Sequence, residues 1–264
     1  MTDKTSYIAS DKPRYIGNLV SRMNCNETLG SRDFEKWVFS HYDFPAGCDV
    51  MEVACGTGKA LFKLLDSHLQ IGSVLALDFA ESAVEALRQH AALEGRMAIE
   101  AIVEDMEKAP EVLANRLVDH IYSIYGIHYS PRMAELLVEY KRLLKPGGSI
   151  FVCGPDSFCN TPLLRILAYS DETIRDPIPE RMYRPFAREC DLDHLRNHFV
   201  QVELTTFENI VSFDNPTTFL AWWENHDLYR PSLVDLVLHH VANEIGERGH
   251  FALNKNVLGI TMTA

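Results

Sequence analysis

The sequence predicts an α/β fold with a Rossmann-like sheet, mostly parallel with an antiparallel last strand, plus a helical cap. Two observations predict it. From residue 49, short apolar runs alternate with stretches of helical spacing, which is the pattern of βαβ units and a parallel sheet. A glycine-rich turn follows the first run, and open α/β sheets bind their ligands at such strand ends. We therefore expect a single sheet-based domain over residues 1–264.

Apolar runs predict five successive strands, at 49–54, 73–77, 98–103, 119–124 and 149–154. Apolar residues at helical spacing predict helices between them, at 58–67, 80–93 and 131–144. The Lys145-Pro146-Gly147-Gly148 segment should end the third helix, since proline cannot continue it and glycines permit a tight turn.

The rest of the chain is expected to surround this core, which spans 47–155. Residues 1–46 should form N-terminal helices or a lid. After Pro155 the alternation stops, and two segments should be cap insertions, at 156–199 and 213–249. The final strands are expected at 200–212 and 250–264.

Composition excludes several classes of partner and location. The formal net charge of −12 is unlike that of proteins that bind many phosphates, so we expect no nucleic-acid partner. The six cysteines lack zinc-site spacing, so we expect free thiols and no metal. The N-terminus lacks the apolar core of a signal peptide, and no apolar stretch approaches 18 residues. We therefore expect a cytoplasmic protein without a membrane span.

The glycine-rich turn carries an acidic residue that distinguishes between ligands. Gly56 and Gly58 let the backbone turn tightly beside a ligand, although a plain strand–helix turn has the same pattern. Glu52, four residues before Gly56, would repel a pyrophosphate at the helix N-terminus. The third glycine of a dinucleotide site is missing, because position 61 is Leu. A carboxylate suits S-adenosylmethionine, which presents an ammonium and a sulfonium.

Two further acidic positions follow the next two strands. Asp78 ends the second strand, where a carboxylate can accept hydrogen bonds from both ribose hydroxyls; it could also cap the helix that starts near Ala80. Glu104 and Asp105, followed by Met106, come after the third strand. An acid there can accept from an adenine amino group, while the next residue packs on the ring. The carboxyl ends of parallel strands lie at one edge of the sheet, so we expect these acids to lie close together there.

The segments EVACGTG, LDFAESAVEAL, VEDMEKAP, VDHIYSIYGIHYSP and RLLKPGGSIFV together resemble the ordered motifs of class I S-adenosylmethionine-dependent methyltransferases. They are most similar to the branch with the ubiquinone/menaquinone C-methyltransferases and many small-molecule methyltransferases, over residues 47–155. The resemblance implies that the turn holds the methionine moiety, Asp78 the ribose and Asp105 with Met106 the adenine. The cofactor contacts implied are Glu52, Ala54, Cys55, Gly56, Thr57, Gly58, Asp78, Phe79, Asp105, Met106, Ser123 and Ile124.

Methyl transfer needs alignment, exclusion of water and, for a protonated acceptor, a base. His128 after the fourth strand is the candidate general base; the alternative is a histidine that packs in the loop or lines the cofactor pocket. Tyr125 and Tyr129 flank it and are candidate substrate contacts. Trp222 is a candidate from the cap, although aromatic residues at helical spacing are more often core. Other candidates are Tyr15, Arg22, Arg184, His194, Trp223, His226 and Tyr229.

The predicted reaction is methyl transfer to O, N or C of a small organic acceptor, such as a biosynthetic intermediate. The sequence lacks the Pro-Pro-Tyr type of motif that DNA base methylation normally shows after the fourth strand and the paired glutamates of protein-arginine methylation. Two alternatives stay open: a cofactor-binding protein that is regulatory or catalyses a different reaction, and a nicotinamide-dependent oxidoreductase, which Glu52 disfavours. The oligomeric state is undetermined, and a homodimer is one of the options.

Overall fold

The computed structural model describes residues 28–42, 44–67, 70–95, 98–156, 159–170, 191–226 and 228–264. The chain divides into two compact units. The described part of the sheet unit comprises residues from 35 to 156, 191–207 and 256–264. The described part of the small unit comprises 28–34, 159–170 and residues from 208 to 255.

The strands are β1 (Asp49–Val53), β2 (Ser73–Asp78), β3 (Ile99–Val103), β4 (Val118–Ile124), β5 (Leu144–Pro155), β6 (Gln201–Phe207), β7 (Ile210–Phe213), β8 (Phe251–Asn254) and β9 (Val257–Thr263). Seven of them form the sheet of the sheet unit, in the order β3-β2-β1-β4-β5-β9-β6. Neighbours from β3 to β5 pair in parallel, whereas β9 runs antiparallel to both β5 and β6. The predicted mostly parallel sheet with an antiparallel last strand is confirmed.

The helices are α1 (Phe34–Phe39), α2 (Lys59–Ser67), α3 (Glu81–Leu93), α4 (Ala109–Val112), α5 (Met133–Lys141), α6 (Thr161–Ser170), α7 (Leu192–His198), α8 (Pro216–Trp223) and α9 (Val234–Arg248). Short 3₁₀ turns span Ile127–Tyr129 and Pro231–Leu233. The predicted helices 58–67 and 80–93 match α2 and α3 within one residue at each end. Local apolar spacing was enough to find them because each buries one stripe against the sheet.

The two faces of the sheet are covered by different helices. Met51 and Val53 of β1 belong to a buried cluster that includes Leu136 and Leu137 of α5. Ala76 of β2 belongs to another cluster, with Leu61 and Phe62 of α2 and Leu87 of α3. Successive strand residues point to opposite faces, so Glu52, between Met51 and Val53, lies on the face opposite theirs.

The two predicted final strands differ from the structure, which has four strands there. The predicted strand 200–212 is β6 and β7, and the predicted strand 250–264 is β8 and β9, with β7 and β8 forming a separate two-stranded sheet in the small unit. Each predicted strand is interrupted at two polar residues, 208–209 in the first and 255–256 in the second. The Lys255 N–H donates to the Asn209 carbonyl oxygen over 2.8 Å, and the Asn209 side-chain oxygen accepts from Ser31 Oγ over 3.1 Å. These bonds tie the backbone into a turn in place of continued strand pairing.

The Lys145–Gly148 segment does not end the helix as expected. Helix α5 ends at Lys141, and the segment forms a bulge within β5, because the pairing with β4 shifts between Val118↔Leu144 and His120↔Ser149. The Lys145 ammonium donates to Asp49 Oδ2 over 2.6 Å and to Asp119 Oδ2 over 2.9 Å. These ion pairs hold the bulge at the amino end of β1 and β4.

Candidate functional site

The turn after β1 is held by close packing at Gly58. Its φ is +81°, and a Cβ there would lie 2.9 Å from Phe62 Cε2 and 3.0 Å from Leu87 Cδ1. The Cys55 N–H donates to the Leu77 carbonyl oxygen over 2.9 Å, which ties the turn to β2. Only glycine therefore lets the turn lie this close to α2 and α3.

Asp78 joins the end of β2 to this turn. Its Oδ2 accepts from the Gly56 N–H over 2.8 Å and its Oδ1 from the Ala80 N–H over 2.9 Å. Burial raises the pKa of this carboxyl, and the N–H groups of Ala80, Gly56 and Phe79 act in the opposite direction. The alternative role expected for Asp78, a cap of α3, is wrong: the N-cap residue of α3 is Ala80, and at this helix Asp78 accepts only from the N–H of that residue. Two carboxylate oxygens have about four lone-pair sites, so acceptor capacity is left for a ligand.

Glu52 is the most deeply buried acid of the site, with 2% of its surface exposed. It pairs in register with Ala76 of β2 and with Tyr122 of β4. Burial raises the pKa of Glu52 to about 8, the Tyr122 hydroxyl lowers it, and the Asp78 carboxylate raises it further. Its Oε2 has no hydrogen-bond partner among the described residues. This carboxyl can therefore accept a donor from a ligand.

The loop after β3 lies against the end of β2. The Glu104 N–H donates to the Asp78 carbonyl oxygen over 3.0 Å. Asp105 is exposed, and its Oδ1 accepts from the Glu107 N–H over 2.9 Å. The Met106 carbonyl oxygen accepts from the Tyr140 hydroxyl over 3.0 Å, which fixes the loop to α5. Phe79, at the end of β2, is 54% exposed and so presents a free aromatic face.

The loop after β4 approaches the β1 turn at Gly126, a residue that sequence reasoning did not single out. A Cβ on Gly126 would lie 2.4 Å from Ala54 Cβ and 2.7 Å from Ser123 Oγ. Ser123 is buried, and its Oγ accepts from the Ile127 N–H over 3.1 Å. Since a side chain at position 126 would separate the two loops, the glycine in YGIHY was the available signal.

His128 lies in the 3₁₀ turn that follows. Its Nδ1 is buried without a hydrogen-bond partner among the described residues, and burial lowers its pKa to about 4. The ring centroid of Tyr129 lies 4.2 Å away and that of Tyr125 lies 6.1 Å away. Both tyrosines are exposed, Tyr129 by 58%. The imidazole is therefore neutral at pH 7.

The structure brings the predicted residues of the first four strand ends together at the carboxyl edge of the sheet unit. These are Glu52, Ala54, Cys55, Gly56, Thr57, Gly58, Asp78, Phe79, Asp105, Met106, Ser123, Ile124, Tyr125, His128 and Tyr129. Their roles in binding stay predictions. Tyr15, Arg22 and Arg184 lie outside the described residues.

Trp222, the predicted substrate contact from the cap, belongs to the small unit. Its indole is buried, with ring centroids of Phe213 at 5.7 Å and of His226 at 4.8 Å. The Lys255 ammonium lies 4.5 Å from its ring centroid. These contacts are those of a packed aromatic core, the more common of the two interpretations given for aromatic residues at helical spacing. The role of Trp222 in binding a substrate stays a prediction.

The described residues include no group of three or more His, Cys, Asp or Glu side chains placed to hold a metal ion. None of the helices in the described ranges combines the length and apolar character needed to cross a membrane.

Comparison with known proteins agrees with the architecture. The profile of the family described as "Methyltransferase domain" matches residues 45–192. A demethylmenaquinone methyltransferase from Shouchella clausii is 26% identical over 147 residues, which cover 54% of this chain and 61% of the relative. A ubiquinone/menaquinone biosynthesis C-methyltransferase from Bartonella bacilliformis is 30% identical over 120 residues, which cover 45% of each chain.

Among solved structures, that of a candidate methyltransferase from Bacillus halodurans aligns with a TM-score of 0.59 at 16% identity, covering 87% of this chain and 98% of that one. This likeness shows the shared fold. The matched region spans about half to three fifths of the length of the curated relatives. Since the family profile covers more than half of the chain, the chain belongs to the class I S-adenosylmethionine-dependent methyltransferase family.

Proposed function

We propose that this chain transfers the methyl group of S-adenosylmethionine to a small organic acceptor, at O, N or C. The observation that carries the proposal is the pair of buried carboxyl groups at adjacent strand ends, Glu52 and Asp78, next to the glycine turn. Buried carboxyls favour a ligand with positive charge and hydrogen-bond donors, and they disfavour a pyrophosphate. The membership of the methyltransferase family supports the same cofactor.

The residues present fit the methionine end of this cofactor. The unpartnered Oε2 of Glu52 is a buried acceptor suited to an ammonium group. The close approach of Gly126 to Ala54 brings the two flanking loops together at this end of the site. When bound, S-adenosylmethionine supplies a methyl group on a sulfonium that is already activated for displacement.

We assign the nucleoside part of the cofactor to the residues that follow β2 and β3. Asp78 keeps free acceptor positions for the ribose hydroxyls beyond its two backbone bonds. Asp105 is exposed beside Met106 and can accept from the adenine amino group. The exposed ring of Phe79 offers apolar surface for the nucleoside.

His128 is proposed as the general base that takes the acceptor's proton. Its pKa of about 4 keeps it unprotonated from pH 5 upward, and its unpartnered Nδ1 is able to accept a hydrogen bond. A low pKa makes it a weak base, so it suits an acceptor that becomes acidic as the methyl bond forms. Tyr125 and Tyr129, exposed on either side, supply aromatic surface on which a flat acceptor can pack.

The names of two relatives guide the choice of acceptors to test. The Shouchella protein is named a demethylmenaquinone methyltransferase, and the Bartonella protein is named a ubiquinone/menaquinone biosynthesis C-methyltransferase. A hydroxylated aromatic ring fits two exposed tyrosines beside a neutral imidazole, and it would carry an acidic proton for His128 to remove. We propose this ring class as the first acceptor to test.

The test incubates the protein with methyl-labelled S-adenosylmethionine and a panel of quinol-like rings, phenols, amines and RNA. We expect label in a small organic acceptor. Tight cofactor binding with no transfer to any member of the panel would favour the alternative of a regulatory or otherwise recruited cofactor-binding protein. Label in RNA alone would contradict the proposed acceptor class.

The role of His128 is tested with His128→Ala. We expect turnover to fall by about 100-fold or more, the usual contribution of a positioned base, with nearly unchanged cofactor affinity. His240→Ala, in the exposed face of α9, is the matched control and should leave turnover unchanged. Equal losses of turnover and of cofactor affinity in His128→Ala would make His128 a pocket-lining residue.

A further inference from the structure

Three buried polar atoms of the sheet unit lie in one cluster without a hydrogen bond of ordinary geometry to any described residue. They are Glu52 Oε2 on β1, the Tyr122 hydroxyl on β4 and the Tyr42 hydroxyl in the segment after α1. Buried polar groups in folded proteins are almost always paired, with protein, water or ligand. Three unpaired groups in one place therefore need an explanation.

The geometry places Tyr122 beside Glu52. The two residues are register partners on adjacent parallel strands, so their side chains leave the same face of the sheet. The Tyr42 ring covers them, with its centroid 5.3 Å from that of Tyr122 and 5.4 Å from that of Phe151. Glu52, Tyr122 and Tyr42 are all buried at this point.

The groups around the carboxyl are acids, phenols and thiols. The Tyr122 hydroxyl and Asp78 act on the pKa of Glu52, and Glu52 in turn raises the pKa values of Tyr42, Tyr122 and Cys55. A buried carboxylate without a cation or donors is strongly disfavoured. A donor from the protein and a cation from a ligand would each stabilise ionised Glu52.

We propose that Tyr122 is a positioning residue for the cofactor: its hydroxyl donates to the ionised Glu52 carboxylate and holds it for the amino group of S-adenosylmethionine. The inference rests on the proposed function, because it takes the amino group of that cofactor as the partner of Glu52. Of the two tyrosines, only Tyr122 has a hydroxyl that lowers the pKa of Glu52, so Tyr42 is assigned to packing over the pair.

A proton is released in this binding step. In the free protein at pH 7 the Glu52 carboxyl is mostly protonated, because its pKa is about 8. When the ammonium binds, the carboxyl loses its proton to the solvent and the Tyr122 hydroxyl turns its hydrogen toward the carboxylate. Removing that hydroxyl raises the pKa of Glu52 further, so the ionised form is reached only at higher pH.

The test measures cofactor affinity by calorimetry between pH 6.5 and 9.5 for the wild type and for Tyr122→Phe, Tyr42→Phe and Glu52→Gln. The amino group of the cofactor also titrates near pH ~8. The readout is therefore the ratio of variant to wild-type Kd at each pH, in which this contribution cancels. Thermal melting checks that each variant is folded.

We expect removal of the Tyr122 hydroxyl to raise the pKa of Glu52 by about one unit. The ratio of the Tyr122→Phe Kd to the wild-type Kd should then be about 10 at pH 7 and approach one at pH 9.5. For Tyr42→Phe the ratio should not change with pH. For Glu52→Gln the ratio should grow by about tenfold from pH 7 to pH 9, because only the wild type gains charge.

A pH-independent ratio for Tyr122→Phe, or the same pH-dependent ratio in Tyr42→Phe, would overturn the role of Tyr122. A pH-independent ratio for Glu52→Gln would overturn the role of Glu52 as the partner of the amino group, and with it the role of Tyr122. Failure of the wild type to bind S-adenosylmethionine at every pH would instead refute the proposed function, so the two failures are distinguishable.

Discussion

Replacing Glu52 by Gln should stabilise the cofactor-free protein while it weakens cofactor binding. The pKa of this carboxyl is about 8 in the folded protein, against an ordinary value of 4.5. The folded state therefore binds more protons than the unfolded state between these values. Its stability falls as the pH rises from 4.5 to about 8 and is level above that. Glutamine has nearly the same shape and does not ionise, so it avoids this loss.

The size of the effect follows from the two pKa values. Each pH unit in this window costs about 1.4 kcal/mol, so the cost to the wild type at pH 7 is about 3 kcal/mol, against about 1 kcal/mol at pH 5. Denaturant unfolding of the cofactor-free wild type and of Glu52→Gln at pH 5, 7 and 8 measures it. We expect the free energy of unfolding of the variant, relative to that of the wild type, to grow by about 3–4 kcal/mol from pH 5 to pH 8. An advantage that is constant with pH, or that shrinks, would refute the assignment of Glu52 as a buried, protonated acid.

Two further predictions concern the site. Asp78→Ala should weaken cofactor binding by about 1–3 kcal/mol, because the ribose hydroxyls lose their acceptor. Calorimetry measures this, and an unchanged Kd would show that the assignment of Asp78 to the ribose is wrong. Gly126→Ala should destabilise the protein by about 1–3 kcal/mol through overlap with Ala54 Cβ, and adding Ala54→Gly should restore part of the loss in the same denaturation assay. Gly246→Ala is the control: its Cβ meets nothing within 4 Å in α9, so it should stabilise by up to ~1 kcal/mol. A double variant as unstable as Gly126→Ala alone would contradict the contact with Ala54.

The strand and helix positions of the core were predictable because they depend on local patterns. Five apolar runs matched β1 to β5, apart from the early start of β5, and the acids at 52, 78 and 105 fell at the expected edge. Parallel strands bring their carboxyl ends to one side of a sheet, so their sequence positions alone predicted this gathering. The split of 200–212 into β6 and β7 was missed because an apolar run does not specify which strand it pairs with.

The order of the amino acids is enough to predict the class of fold, the order of its core elements and the set of acids that meet at one edge, since apolar periodicity is a property of neighbouring residues. The chemical state of those acids depends instead on how the folded chain surrounds them. Tyr42 and Tyr122 cover Glu52 from distant parts of the chain, and burial keeps His128 neutral. The physical reason is that the cost of a charge depends on how much water its neighbours exclude, and those neighbours are brought together only by folding.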